Sequence, residues 1–399
     1  MSKIRQIVSL AGSAGACGWL LLAEPIIRFL TARRRDLDAY AVVDASAAVT
    51  IAYYLVCFII LFIVSEKKKS PLSWENLFKT PMAWFLIYTL LGFVSMFWSV
   101  NYQLTGYRAF ECLTMMLLMM TVWKRLFAYG NYSMVINYCM LFVGVQVICQ
   151  ILSVLKWSTD IFEILSSSQM VATTFFFMAF YHPNKKLIYY LIMVMAILSG
   201  STVAYIGMAL GLFSLFFGRS KYRFLVFVLA FIGFLVIVYI GPQKVIKDTI
   251  FYDKESISLE ETSGRDQIME TALFAMEQQP QGYGFFAGEP YVLYQTLIGA
   301  INGHNSFLSA ALGLGYAGVV IIFIFFIGMF RVTFSSYIPR EVRQSLIGCF
   351  FVGFLHCMGN PGIGSRIYGS WMPVMLLFTM ICSFYAYNRK YRNAHNLGY

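Results

Sequence analysis

In the stretch INGHNSFLSAALGLGYAGVV, residues 301–320, His304 and Asn305 stand together at the head of an almost wholly apolar run. The chain has four histidines in 399 residues, so a placement beside hydrocarbon asks for a reason. Three arginines stand at comparable places: Arg108 in WSVNYQLTGYRAF, Arg265 in TSGRDQIMETALFAMEQQP and Arg366 in GNPGIGSRIYGS. A histidine titrates near neutrality and can take a proton from a reacting hydroxyl. A guanidinium keeps its charge and grips a phosphate with two parallel hydrogen bonds. Together they suit a transfer in which a base activates one partner and arginines hold an anionic one. Each has a plainer reading: Arg108 snorkelling at a helix end, Arg265 solvated in a first turn, Arg366 on lipid headgroups, His304 as an interfacial cap.

Composition decides where this chemistry takes place. Hydrophobic residues make up 59% of the chain and charged residues 12%, with a mean hydropathy of +0.68. Apolar runs long enough to cross about 30 Å of hydrocarbon recur throughout, which excludes a soluble globular domain. The expected class is an all-α polytopic membrane protein. Its net charge of +11 needs no nucleic acid, because an excess of basic residues on one side of a membrane produces it. The eight cysteines are scattered through apolar runs without a CxxC pair, and read as packing residues. No metal site and no cofactor are expected. The methionines of 115–120 read as packing, and His356 as a satisfied intramembrane histidine, with a polar role in the core as its alternative.

The apolar runs fall at about 7–30, 39–64, 82–98, 108–123, 133–155, 167–182, 187–200, 202–217, 224–241, 305–330, 344–359 and 370–387, about twelve spans in all. Basic segments follow alternate spans, and placing these and both termini in the cytoplasm puts most of the Lys and Arg inside. Arg33, Arg34 and Arg35 then fall outside, against that rule. The chain divides into transmembrane helices over 1–241, an external loop over 242–303 and further transmembrane helices over 304–399. Within the loop, Ser263 can cap a helix with Ile268, Met269, Ala272, Leu273 and Met276 on one apolar face. Pro280 stops it, and QGYGFFAG follows as a turn; such a helix would lie on the membrane surface. All four candidate residues lie near the external side, where few acids are available as partners.

These residues resemble a family. His304 through Gly318, a His-Asn pair followed nine residues later by GxxG, is similar to the motif of the O-antigen ligase superfamily, the Wzy-C ligase and polymerase family. The upstream Ser-Gly-Arg at 263–265, the amphipathic helix, the proline and the Gly-x-Gly look like the same family, so that 263–318 carries its motif. WSVNYQLTGYRAF resembles its early external element, in which an arginine opens a helix. One position departs: many members carry a basic residue after the serine of a short helix pair, and here LSGSTVAY offers Thr202.

The resemblance implies a GT-C-like membrane glycosyltransferase of the bacterial inner membrane, acting on its periplasmic face. His304 and Arg265 would be catalytic, with Arg108, Arg366 and Asn305 binding substrate, and no metal would take part. The donor would be an undecaprenyl-diphosphate-linked oligosaccharide. The acceptor would be a further glycan for a polymerase of O-antigen or exopolysaccharide, or lipid A-core for a ligase; the motifs lean towards polymerase. A chain-length regulator and a flippase are the protein partners implied. A transporter of lipid-linked sugars is the alternative of another class, but the sequence shows no repeated halves. A rhomboid-like protease using Ser201 and His304 lacks the Gly-x-Ser-Gly pattern. The topology has a direct check. A reporter fused after Gly288 should prove external and one after Arg392 cytoplasmic; an internal Gly288 would put the proposed base on the wrong side.

Overall fold

A computed structural model describes residues 3–31, 45–63, 70, 72–155, 265–296, 305–359, 363 and 371–396. Every regular element among them is helical, so the chain is an all-α membrane protein. The elements are α1 (Lys3–Ser13), α2 (Gly15–Thr31), α3 (Ala45–Ile63), α4 (Trp74–Phe78), α5 (Met82–Val94), α6 (Tyr102–Phe127), α7 (Tyr132–Leu155), α8 (Arg265–Gln278), α9 (Gly288–Thr296), α10 (Ser306–Thr333), α11 (Arg340–Gly359) and α12 (Trp371–Asn396). Four described stretches are long and apolar enough to cross a membrane: Ala45–Ile63, Tyr132–Cys149, Ser306–Thr333 and Trp371–Tyr391. Met82–Phe97 and Val342–Met358 are shorter apolar helices. The expected spans between 167 and 241, with the turn at LSGSTVAY, lie outside the described residues, as do Arg33, Arg34 and Arg35.

The Met-rich α6 is the central post of the bundle. It packs against α2, α3, α5 and α12. Met115, Met116, Met119 and Met120 are fully buried, as the packing reading expected. Trp123 fixes its far end, where the indole Nε1 donates to Thr379 Oγ1 of α12 at 2.9 Å. All eight cysteines are buried and none forms a disulfide. One expectation is corrected here. Arg108 does not open the helix: Asn101 caps it, accepting from Leu104 N at 3.0 Å, and α6 starts at Tyr102. Hydropathy marks where a helix becomes apolar, whereas the cap sets where it starts.

α10 is interrupted. Asn305 caps its head, its side chain accepting from Phe307 N at 2.8 Å and Leu308 N at 3.4 Å. Ten residues on, Gly315 leaves the helical region, with φ 62° and ψ −154°. An interruption strands backbone groups that lipid cannot satisfy. The turn after α8 satisfies them. Tyr283 N donates to Leu312 O at 2.8 Å, Gly284 N to Gly313 O at 3.0 Å, and Tyr316 N to Pro280 O at 3.2 Å.

The contact is close enough to require glycine. A Cβ on Gly315 would stand 1.9 Å from Pro280 O, and one on Gly282 2.5 Å from Gly315 N. Gly315→Ala therefore meets both backbone and a positive-φ conformation almost reserved for glycine, which alone costs about 1–3 kcal/mol. It should lower the melting temperature in detergent or abolish folding. Gly144→Ala, with nothing within 4 Å of the added carbon, should be neutral or slightly stabilising.

Candidate active site

Segments distant in sequence meet around the break in α10. The segment from Ser95 to Thr105 meets the turn at 281–285 through a set of directed hydrogen bonds. Val100 N donates to Tyr283 O at 3.0 Å and Trp98 Nε1 to Gln281 O at 3.2 Å. Ser95 Oγ accepts from Phe285 N at 3.0 Å, and Thr105 Oγ1 donates to Phe285 O at 3.1 Å. The turn is thus held by α10 on one side and by the start of α6 on the other. α8 and α9 pack on each other and on α10 above it. Tyr283 ties the turn to α8, its hydroxyl donating to Ala275 O at 3.1 Å. Burial, with Tyr291 adding to it, pushes that phenol above its usual range, which keeps it a neutral donor.

α8 runs from Arg265 to Gln278 and ends before Pro280, where the sequence placed it. Its inward face differs in part from the expected one. Ile268, Ala272, Ala275 and Met276 are buried, while Met269, Leu273 and Phe274 are exposed. Apolar positions run around more of this helix than one stripe, and packing on α9 and α10 selects the inner set.

Of the expected site residues, Arg108 is placed fully. Its guanidinium carbon stands 4.8 Å from the centroid of the Phe286 ring and 5.2 Å from that of Tyr107. Such stacking is worth about 0.5–2 kcal/mol. Phe286 holds a positive φ of 67°, a strained state for a side-chain-bearing residue that the hydrogen bonds of the turn enforce. Asn305 is placed as the cap of α10. Arg265 is the first residue of α8; its side chain lies outside the described residues, as do His304 and Arg366. The structure therefore brings Arg108 to the motif turn and Asn305 to the head of α10.

A second correction concerns partners. The sequence reading sought acids for the arginines in the external segments, but Arg108 pairs with Glu111 one turn along its own helix, Nη1 to Oε2 at 2.6 Å. Glu111 is 0% exposed and also accepts from Arg28 of α2. Arg28 Nε donates to Glu24 Oε1 at 2.9 Å, and its Nη2 donates to the Tyr54 hydroxyl at 2.7 Å. Two arginines and two carboxylates thus form one neutral cluster joining α2, α3 and α6. The signal was present: Glu24 and Glu111 stand inside apolar spans, where an acid is costly unless paired. A further acid, Glu289 at the start of α9, is buried and accepts from Ser309 Oγ of α10 at 2.7 Å. Its place in FFAGEPYV, a lone acid in apolar sequence, was the clue.

Arg108 Nε is buried and makes no hydrogen bond among the described residues. An unpaired buried donor costs about 1–3 kcal/mol, which an oxyanion on that edge would recover. With the Phe286 ring on its face and Glu111 on one nitrogen, the guanidinium is fixed in position and can still accept an anion.

The fold and these contacts define an all-α membrane protein in which the segment 95–105, the turn at 280–285 and α10 meet. Residues 187–323 match the sequence model of the Wzy_C family, described as O-antigen ligase. That is the superfamily the motifs resemble. The match includes α8, α9 and the first part of α10, and begins well after α6 and Arg108. Among curated proteins none matches the chain.

The cluster makes a quantitative expectation. Glu111→Ala leaves two arginines facing each other in the interior, and removing one partner from a buried pair costs about 3–5 kcal/mol. The variant should melt well below the native protein in detergent or fail to accumulate; an unchanged melt would mean that the cluster is solvated.

Proposed function

We propose that the chain is a membrane glycosyltransferase that uses a polyprenyl-diphosphate-linked glycan on the periplasmic face of the inner membrane, as a Wzy-type polymerase of O-antigen or exopolysaccharide repeat units. The family match supports glycosyl transfer of the ligase and polymerase type. The observation that carries the reading is Arg108, held against Phe286 of the motif turn with its Nε without a hydrogen-bond partner among the described residues.

The chemistry follows from the residues. The bond from the anomeric carbon to the diphosphate oxygen breaks, and the leaving diphosphate takes the electron pair. Arg108, Arg265 and Arg366 stabilise that charge electrostatically. A bond forms from the acceptor hydroxyl oxygen to the anomeric carbon, and the hydroxyl proton passes to His304. Asn305 holds the head of α10 immediately after that histidine. No step requires a metal ion. A ligase that captures the finished glycan on lipid A-core is the second reading, favoured by the description of the matched family.

The assay is purified protein with lipid-linked repeat unit, alone and then with lipid A-core. Chain growth without the core supports the polymerase, and transfer only when core is added moves the assignment to ligase. His304→Ala should stay folded, because Asn305 still caps α10, and should lose about 10² to 10⁴ in transfer rate. Undiminished transfer by that variant would remove His304 from the mechanism. A chelator should leave the native rate unchanged.

A further inference from the structure

We infer that Arg28 and Glu111 are positioning residues for the donor site, acting through Arg108 on the grip of the lipid-linked diphosphate; this rests on the reading of Arg108 as a diphosphate contact. Arg28 belongs to the first hairpin, far in sequence from every motif that points to the site. Its guanidinium nevertheless reaches Glu111 across 83 residues. Glu111 is fully buried and uses one oxygen for each arginine: Oε1 for Arg28 and Oε2 for Arg108. Its carboxylate is therefore a rigid link whose orientation both cations set.

The geometry at Arg108 shows what the link accomplishes. Glu111 takes Nη1. The Phe286 ring covers a face. The Nε–Nη2 edge is then the one able to hold two oxygens of a phosphate at once, the pairing a guanidinium makes best. Were Glu111 not also anchored from α2, its carboxylate could turn and take two nitrogens of Arg108 in the same bidentate manner. The grip would then compete with an internal acid. Arg28, itself held by Glu24 and the Tyr54 hydroxyl, prevents that by occupying the other oxygen. Its side chain is 25% exposed and that of Arg108 18%, so neither is sealed from the surrounding medium. The anchor thus biases Glu111 to hold Arg108 by one nitrogen only.

The test measures binding of undecaprenyl diphosphate in nanodiscs to the full-length protein, with undecaprenyl monophosphate as the control lipid. Arg28→Met combined with Glu24→Gln removes the anchor without leaving an unpaired charge in the interior, and a thermal melt verifies folding. This variant should bind the diphosphate about tenfold or more weakly, since small misplacements of a binding group are costly. Arg28→Lys, which keeps charge but not the fork, should be weakened similarly. Adding Arg28→Met and Glu24→Gln to a protein that already carries Arg108→Ala and Glu111→Gln, which strands no buried charge, should cause no further loss, because their effect passes through Arg108; independent structural damage would add instead. A folded anchor variant with native affinity overturns the inference while leaving Arg108 in the site. Native affinity in Arg108→Ala overturns the diphosphate reading itself.

Discussion

A helix inside a membrane protein cannot be broken without new partners for the groups it frees, and the break at Gly315 organises everything around the site. The carbonyls of Leu312 and Gly313 and the amide of Tyr316 are all met by backbone from 280–284. Backbone can approach backbone that closely only where side chains are absent, so glycine occupies both sides of the contact, at Gly282 and Gly315. The turn cannot then shift without unpairing α10. Because the same turn also bonds to Val100, Ser95 and Thr105, it carries the register of α10 over to the start of α6.

The position of Arg108 follows from that register. It lies in the second turn of α6, one turn before Glu111 and against Phe286 of the pinned turn. Two constraints of different kind therefore fix one guanidinium. The hydrogen-bonded backbone places the ring on its face, and the buried carboxylate fixes one of its nitrogens. The neutral cluster with Arg28 and Glu24 keeps both charges of the pair tolerable in a low-dielectric interior, where an isolated charge would cost several kcal/mol.

Much of this was legible in the residues. Hydropathy located the apolar helices that the structure describes, although the run at 7–30 divides into α1 and α2, and Pro280 located the end of α8. The glycines of QGYGFFAG signalled a turn, but not that Gly282 faces Gly315, because pairing between segments so far apart leaves no local trace. The start of α6 was misplaced because Tyr102 to Tyr107 reads as polar loop, although Asn101 is a recognisable cap. Glu111 escaped notice because partners for external arginines were sought in external segments, and an acid one helical turn away serves as well. The inward face of α8 depends on which neighbours it meets, and its sequence is apolar around too wide an arc to say.

These contacts also explain why the residue at 108 is arginine and not lysine. An ammonium group offers three hydrogens from one point, so pairing with Glu111 would draw its whole charge to the carboxylate. A guanidinium spreads its charge over a plane. It can give Nη1 to Glu111, lay a face on Phe286 and still present an edge, three contacts in three directions. If Arg108 holds a diphosphate, as proposed, the site must stay intact when empty and accept a phosphate when one arrives, and that needs this separation of tasks. An acidic partner on its own would hold the cation too well, and an aromatic face alone would leave its charge uncompensated. The combination found at the start of α6 fixes the group in place while leaving one edge for chemistry.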